Sequence, residues 1–119
     1  MAGGATRIGN RGEEAAVEWL RERGYYIVER NWRAGRYELD IIAQRWDTLH
    51  IIEVKTRHEG SWQSATESIN EQKIRTLRRA GAMYRALHHL RLNIQFDLIA
   101  VTIDEHDQLH IDYTESIIY

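Results

Sequence analysis

Two short stretches place acids inside what otherwise reads as buried β-sheet: Tyr37-Glu38-Leu39-Asp40-Ile41-Ile42-Ala43, and residues 49–56, where Ile51, Ile52 and Val54 surround Glu53 and Lys55. Segments this rich in β-branched residues are strand formers. Side chains alternate along a strand, so Glu38 and Asp40 share one face with Ile42, while Leu39, Ile41 and Ala43 share the other. Glu53 and Lys55 likewise share a face. Between the stretches Trp46-Asp47 reads as a two-residue connection, which pairs Arg45 with Thr48 and sets Asp40 opposite Glu53 and Glu38 opposite Lys55. A slip of one residue would put Glu53 and Lys55 on the opposite face from Asp40, so the grouping depends on this parity.

The remaining segments supply elements to cover such a hairpin. Residues 10–23 are helix formers, with Asn10 where a cap sits and Gly24 where a helix C-terminus wants positive φ. On that helix Glu13, Ala16, Val17 and Leu20 fall on one face. Residues 1–9 read as a flexible lead-in, residues 25–28 as a short strand, and residues 30–35 as a loop. Residues 68–90 form the main helix, with Ile74, Leu77, Gly81, Tyr84 and Leu87 on one stripe. Strands over 93–103 and 108–113 follow, separated by a turn at 104–107. The order is αβββαββ, an α/β fold in one domain, as a chain of 119 residues suggests.

Composition narrows the chemistry. The chain has no cysteine, which excludes disulfides, thiolate metal sites and cysteine nucleophiles and suits a reducing cytoplasm. No apolar run approaches the length of a membrane helix, and the first eleven residues lack the apolar core of a signal peptide. The net charge of −2 hides an asymmetry: residues 1–91 carry all 16 Lys and Arg against 12 acids, and residues 92–119 carry six acids. Binding to nucleic acid would therefore be local rather than driven by bulk charge.

A Glu-x-Lys triplet taken alone is usually a solvated strand face. Here the apolar flanks imply strands buried on both faces, where two acids and a lysine need a reason. Facing carboxylates in a partly buried cleft repel, and one takes up a proton unless a cation lies between them. Hard oxygen ligands suit Mg²⁺ or Mn²⁺ better than zinc, for which there is no Cys and no convincing His pair. Such a site suits phosphodiester hydrolysis, with Lys55 placing the water or stabilising developing charge. Glu13 would add a ligand if the first helix packs beside the hairpin, although an acid near a helix start also suits the helix dipole. Arg33, Arg36 and Arg57 lie nearest the proposed site as phosphate contacts. Lys73, Arg75, Arg78 and Arg79 read as a solvated helix face or a phosphate track. His88 and His89, adjacent on a helix, point apart, and Trp62 in its polar loop is the one tryptophan suggestive of base stacking.

Gly12-Glu13, Gly24-Tyr25, Arg30-Asn31-Trp32-Arg33, residues 38–43, Glu53-Val54-Lys55-Thr56-Arg57 and Lys73 together resemble the YraN family over about residues 8–101. That family is assigned by fold to the PD-(D/E)XK nuclease superfamily, with restriction endonucleases and archaeal Holliday-junction resolvases. The resemblance implies a restriction endonuclease-like αβββαβ core, a mixed sheet flanked by two helices, here with an added C-terminal strand. It implies Asp40 and Glu53 as metal-binding carboxylates, Lys55 as the superfamily lysine and Glu13 as the extra helix acid of resolvase-like members. Glu38 matches an acid of the family signature, and Lys73 a basic position at the second helix. Tyr37 replaces the usual Gly before Glu38, and residues 61–64 lack the Phe-Gly and Pro signals of that loop. The expectation is a cytoplasmic Mg²⁺-dependent endonuclease acting on DNA, including branched or single-stranded forms. The alternatives are a non-catalytic nucleic-acid-binding or adaptor module and a homodimer formed through the last strands.

Overall fold

The computed structural model describes residues 4–60 and 69–118, with side chains from Asn10 onward. The elements run α1 (Gly4–Glu22), β1 (Tyr26–Ala34), β2 (Tyr37–Arg45), β3 (Thr48–His58), α2 (Glu71–Leu87), β4 (Asn93–Ile103) and β5 (Leu109–Thr114). The five strands form one mixed sheet in sequence order. β3 and β4 are parallel, and the other neighbours are antiparallel. This is the αβββαβ order with a C-terminal strand that the sequence predicts.

Each helix covers one face of the sheet. Ala16, Val17 and Leu20 of α1 pack with Ile41, Ala43, Ile52, Ile99 and Val101. Leu77, Ala80 and Tyr84 of α2 pack with Leu39, Ile42, Leu49, Ile51 and Phe96. Central strands covered on both sides read as nearly continuous apolar runs, which is why polar residues within them stand out. Of the stripe expected on α2, Leu87 is exposed, because the helix ends there and runs past the sheet. Asn70 caps α2, its side-chain oxygen accepting from the Lys73 amide at 2.8 Å.

Two local expectations are corrected. The segment 30–34 is strand, not loop: Arg30, Trp32, Arg33 and Ala34 pair with Ile41, Leu39, Glu38 and Tyr37. Its polar residues misled because β1 is an edge strand that buries Trp32 and leaves its neighbours facing solvent. The helix α1 begins at Gly4 rather than Asn10, since glycine lowers helix propensity by only about 1 kcal/mol and nothing from Gly4 to Asn10 blocks the backbone. Glu13 therefore lies well inside the helix, away from its positive end. The loop 61–64 with Trp62, and residues 1–3 of the expected lead-in, lie outside the described residues.

Asp97, fully buried on β4, ties the last three strands together. It is bound by His50 Nδ1 at 2.7 Å, Gln95 Nε2 at 2.9 Å, the Ser116 amide at 2.9 Å and the Tyr113 hydroxyl. Burial pushes its pKa up, but the bonds from His50, Tyr113, Ser116 and Gln95 outweigh it and hold the carboxyl below the usual range.

Close contact of α1 with β3 turns on Gly12. A Cβ there would stand 1.8 Å from Thr56 Oγ1, so only glycine lets the helix approach. Gly12→Ala should destabilise the protein by about 1–3 kcal/mol in urea denaturation despite the better helix propensity of alanine. Adding Thr56→Ala should recover part of the loss, and equal stability of Gly12→Ala and wild type would refute the close packing.

Candidate active site

The parity that groups the acids is observed. Trp46, at φ 57°, opens the two-residue turn, and the ladder runs from Arg45↔Thr48 to Ile41↔Ile52. One step further Asp40 falls opposite Glu53, where the Asp40 carboxylate accepts the Val54 amide at 2.8 Å. Alternation slips here. Leu39, expected beside Ile41, joins the core under α2, and across from it Asn31 takes φ 52° between the Arg30↔Ile41 and Trp32↔Leu39 pairs. A left-handed residue opposite a side chain that replaces a main-chain acceptor marks a local distortion of the sheet, a common feature beside functional sites.

Glu53 is buried, and Asp40 is half-buried beside it. Burial, the hydrogen bond to Glu53 and its charge push the Asp40 carboxyl up to about 8, against the opposing Val54 amide and Lys73 ammonium. For Glu53 burial acts upward too, but the bond from Asp40 and the Lys73 and Lys55 charges hold it below its ordinary value. Thus the two carboxyls share one proton, with Glu53 the ionised member. Lys73 Nζ stands 2.7 Å from Glu53 Oε2 and is the charged partner of that oxygen. Burial pushes the Lys73 pKa down, but Glu53, Asp40 and Glu38 more than offset this and hold it above the ordinary lysine value.

The other predicted residues divide. Lys55 lies on β3 two residues beyond Glu53, half-buried, and its charge reaches Glu53. Glu38 is exposed and pairs with Arg33 at 2.7 Å, so this acid neutralises Arg33 at the strand edge. Glu13 is buried, its Oε1 accepting from Arg30 Nε at 3.1 Å and Asn31 Nδ2 at 2.9 Å. Among the described residues no three of His, Cys, Asp and Glu come together to hold a metal. Through these bonds Glu13 braces α1 against the distorted part of β1. Arg57 lies near the end of β3, and Arg78 lines a separate hollow with Arg85, Ile94 and Phe96. Arg36 faces Tyr37 and, with Arg75 and Arg79, borders a cavity beside α2.

Two facing carboxylates with one proton between them and an ammonium as their counter-ion are hard oxygen donors of the kind a divalent cation takes. Mg²⁺ keeps most of its waters and commonly takes one or two protein carboxylates. Sequence reasoning missed Asp97 and His50, although an Asp in the apolar run 94–101 was the signal, and did not foresee that Arg36 would meet Arg75 and Arg79.

The sequence pattern of the family described as "Uncharacterised protein family UPF0102" matches residues 12–101. The chain belongs to the UPF0102 family. A UPF0102 protein of Bacteroides thetaiotaomicron is 39% identical over 112 residues, covering 94% of this chain and 92% of its own. A relative from Flavobacterium psychrophilum is 38% identical over 112 residues, covering 94% and 93%. One from Alkaliphilus oremlandii is 37% identical over 102 residues, covering 83% and 87%. The matched span of this UPF0102 chain starts at Gly12, the helix contact on β3, and takes in both carboxylates and both lysines. Among its described residues no helix is long and apolar enough to cross a membrane.

The shared proton sets a sign for pH dependence. Folded Asp40 stays protonated to about 8, whereas an unfolded Asp ionises near 3.8, so the folded state binds more protons between these values and stability falls as pH rises through that window. Glu53 acts oppositely, losing stability only as pH falls below its ordinary 4.5. Without divalent metal the melting temperature should decline from pH 5 to 8 (values inside that about 4–8 window), and Asp40→Asn should flatten the decline. An unchanged slope in the variant would refute the shared proton.

Proposed function

We propose that this protein is a Mg²⁺- or Mn²⁺-dependent endonuclease that hydrolyses phosphodiester bonds in DNA, a member by fold of the PD-(D/E)XK nuclease superfamily. The observation that carries the reading is the Asp40 and Glu53 pair at the distorted end of the central hairpin, sharing a proton where a cation would relieve the repulsion. Lys55 on the same strand as Glu53 and the αβββαβ order support it.

A divalent cation supplies charge neutralisation on a phosphoryl oxygen and acidifies a bound water. Asp40 and Glu53 are the residues that would hold it. The Val54 amide fixes the Asp40 carboxylate at 2.8 Å, so this ligand needs no rearrangement to act. Lys55 orients the attacking water or stabilises charge developing on the phosphate. Lys73, 2.7 Å from Glu53, is the internal counter-ion of that carboxylate and sets a positive charge beside the pair. Glu13 acts at one remove, holding Arg30 and Asn31 opposite Asp40.

Purified protein with Mg²⁺ or Mn²⁺ should cut at least one of duplex, single-stranded and four-way DNA. Asp40→Asn, Glu53→Gln and Lys55→Ala should each slow the reaction about a hundredfold or more. Mg²⁺ should also raise the melting temperature of the wild type and not of Asp40→Asn. Absence of cutting on all three substrates with either metal, or full activity in Asp40→Asn, would overturn the assignment.

A further inference from the structure

Beside the carboxylate pair, on the solvent side of α2, a cavity of about 400 Å³ is lined by Arg36, Tyr37, Gln72, Arg75, Thr76 and Arg79. Gln72, Arg75, Thr76 and Arg79 recur at helical spacing, so the first half of α2 offers one polar stripe to the cavity while Leu77, Ala80 and Tyr84 face the core. The turn between β1 and β2 closes the other side with Arg36 and Tyr37, Gly35 there taking φ 60°. Arg36 lies 5.5 Å from the centre of the Tyr37 ring. Arg36 and, less strongly, Arg79 hold the Tyr37 hydroxyl below the usual phenol pKa.

The charge around this cavity is unbalanced. Among the described residues no carboxylate lies within ion-pair distance of Arg36, Arg75 or Arg79, although Arg11, Arg23, Arg30, Arg33 and Lys73 all have one. Three guanidiniums around one hollow repel each other, and the arrangement calls for an anion. A backbone phosphodiester brings one negative charge. A phosphate monoester brings about −1.5 to −2 at pH 7 and three acceptor oxygens, closer to what three guanidiniums, a phenol and an amide offer. The position is suited to a strand end: Tyr37 precedes Asp40 by three residues, about 10 Å along the strand, and Gln72 adjoins Lys73, whose ammonium is 2.7 Å from Glu53.

We infer that this cavity binds the terminal phosphate monoester of a nucleic-acid strand whose interior passes the Asp40 and Glu53 pair, and so measures position from a phosphorylated end. The inference rests on the nucleic-acid reading of the site, and binding tests it separately from cleavage. In EDTA, fluorescence anisotropy would compare single-stranded oligonucleotides carrying a 5′-phosphate, a 3′-phosphate or hydroxyl ends, with a nucleoside monophosphate as competitor. One of the phosphorylated strands should bind about tenfold more tightly than the hydroxyl strand, and Arg75→Gln with Arg79→Gln should erase that preference at unchanged melting temperature. Equal affinity for phosphorylated and hydroxyl ends would overturn the inference. So would a mononucleotide that competes as well as the phosphorylated strand, since the occupant would then be a free nucleotide. Circular single-stranded DNA, which has no ends, isolates the catalytic pair. Cleavage of the circle together with no end preference defeats the cavity assignment and leaves the nuclease reading standing. A preference for phosphorylated ends with no cleavage of any substrate supports the cavity and defeats the nuclease reading.

Discussion

The amide of Val54 binds the carboxylate of Asp40 at the point where β2 and β3 cease to pair as a regular ladder. A side chain there takes the place of a main-chain acceptor, and three other features follow from the substitution. Asp40 is held against Glu53. Leu39 shifts into the core beneath α2, and Asn31 opposite adopts a left-handed conformation that Glu13 secures through its bonds to Arg30 and Asn31. The hairpin thereby gives up regularity at one end to hold two acids side by side, and the helix α1 is brought close enough to brace it by Gly12.

Electrostatics then assign unequal roles to residues of the same type. Glu53, the more deeply buried acid, is the ionised one, because Lys73 and Lys55 face it and Asp40 donates to it. Asp40 carries the proton despite the Val54 amide, since burial and the neighbouring charge outweigh one hydrogen bond. Asp97 is fully buried yet held below the ordinary carboxylate range by four partners of the fold. The contrast is between an acid whose two oxygens are satisfied by donors of the fold and two acids that face each other with one proton between them.

Period-two alternation and the two-residue spacing at Trp46-Asp47 were enough to read the register of the central hairpin, and helical periodicity was enough to place Glu13 on the buried face of α1. The same rules failed where edge effects or local distortion intervened. Residues 30–34 looked like a loop because an edge strand tolerates Arg and Asn on its exposed side. Glu38 looked like a partner for Lys55 on strict alternation, but the strands no longer run as a ladder at that level, and Arg33 across the β1 and β2 pair reaches it first.

Sequence by itself determined the order of elements, the strands that carry Asp40, Glu53 and Lys55, and the family to which the chain belongs, because these depend on local periodicity and on residues close together in the chain. Only the tertiary structure decided which partners from distant parts of the chain these acids meet. Glu13 lies 27 residues before Asp40 and turned out to face Arg30 and Asn31, while Lys73, 20 residues after Glu53, turned out to be its counter-ion. The gathering of Arg36 with Arg75 and Arg79 likewise depends on how α2 lies across the first hairpin. Such contacts are set by helix packing against a twisted, locally distorted sheet, and a linear pattern carries no information about that geometry.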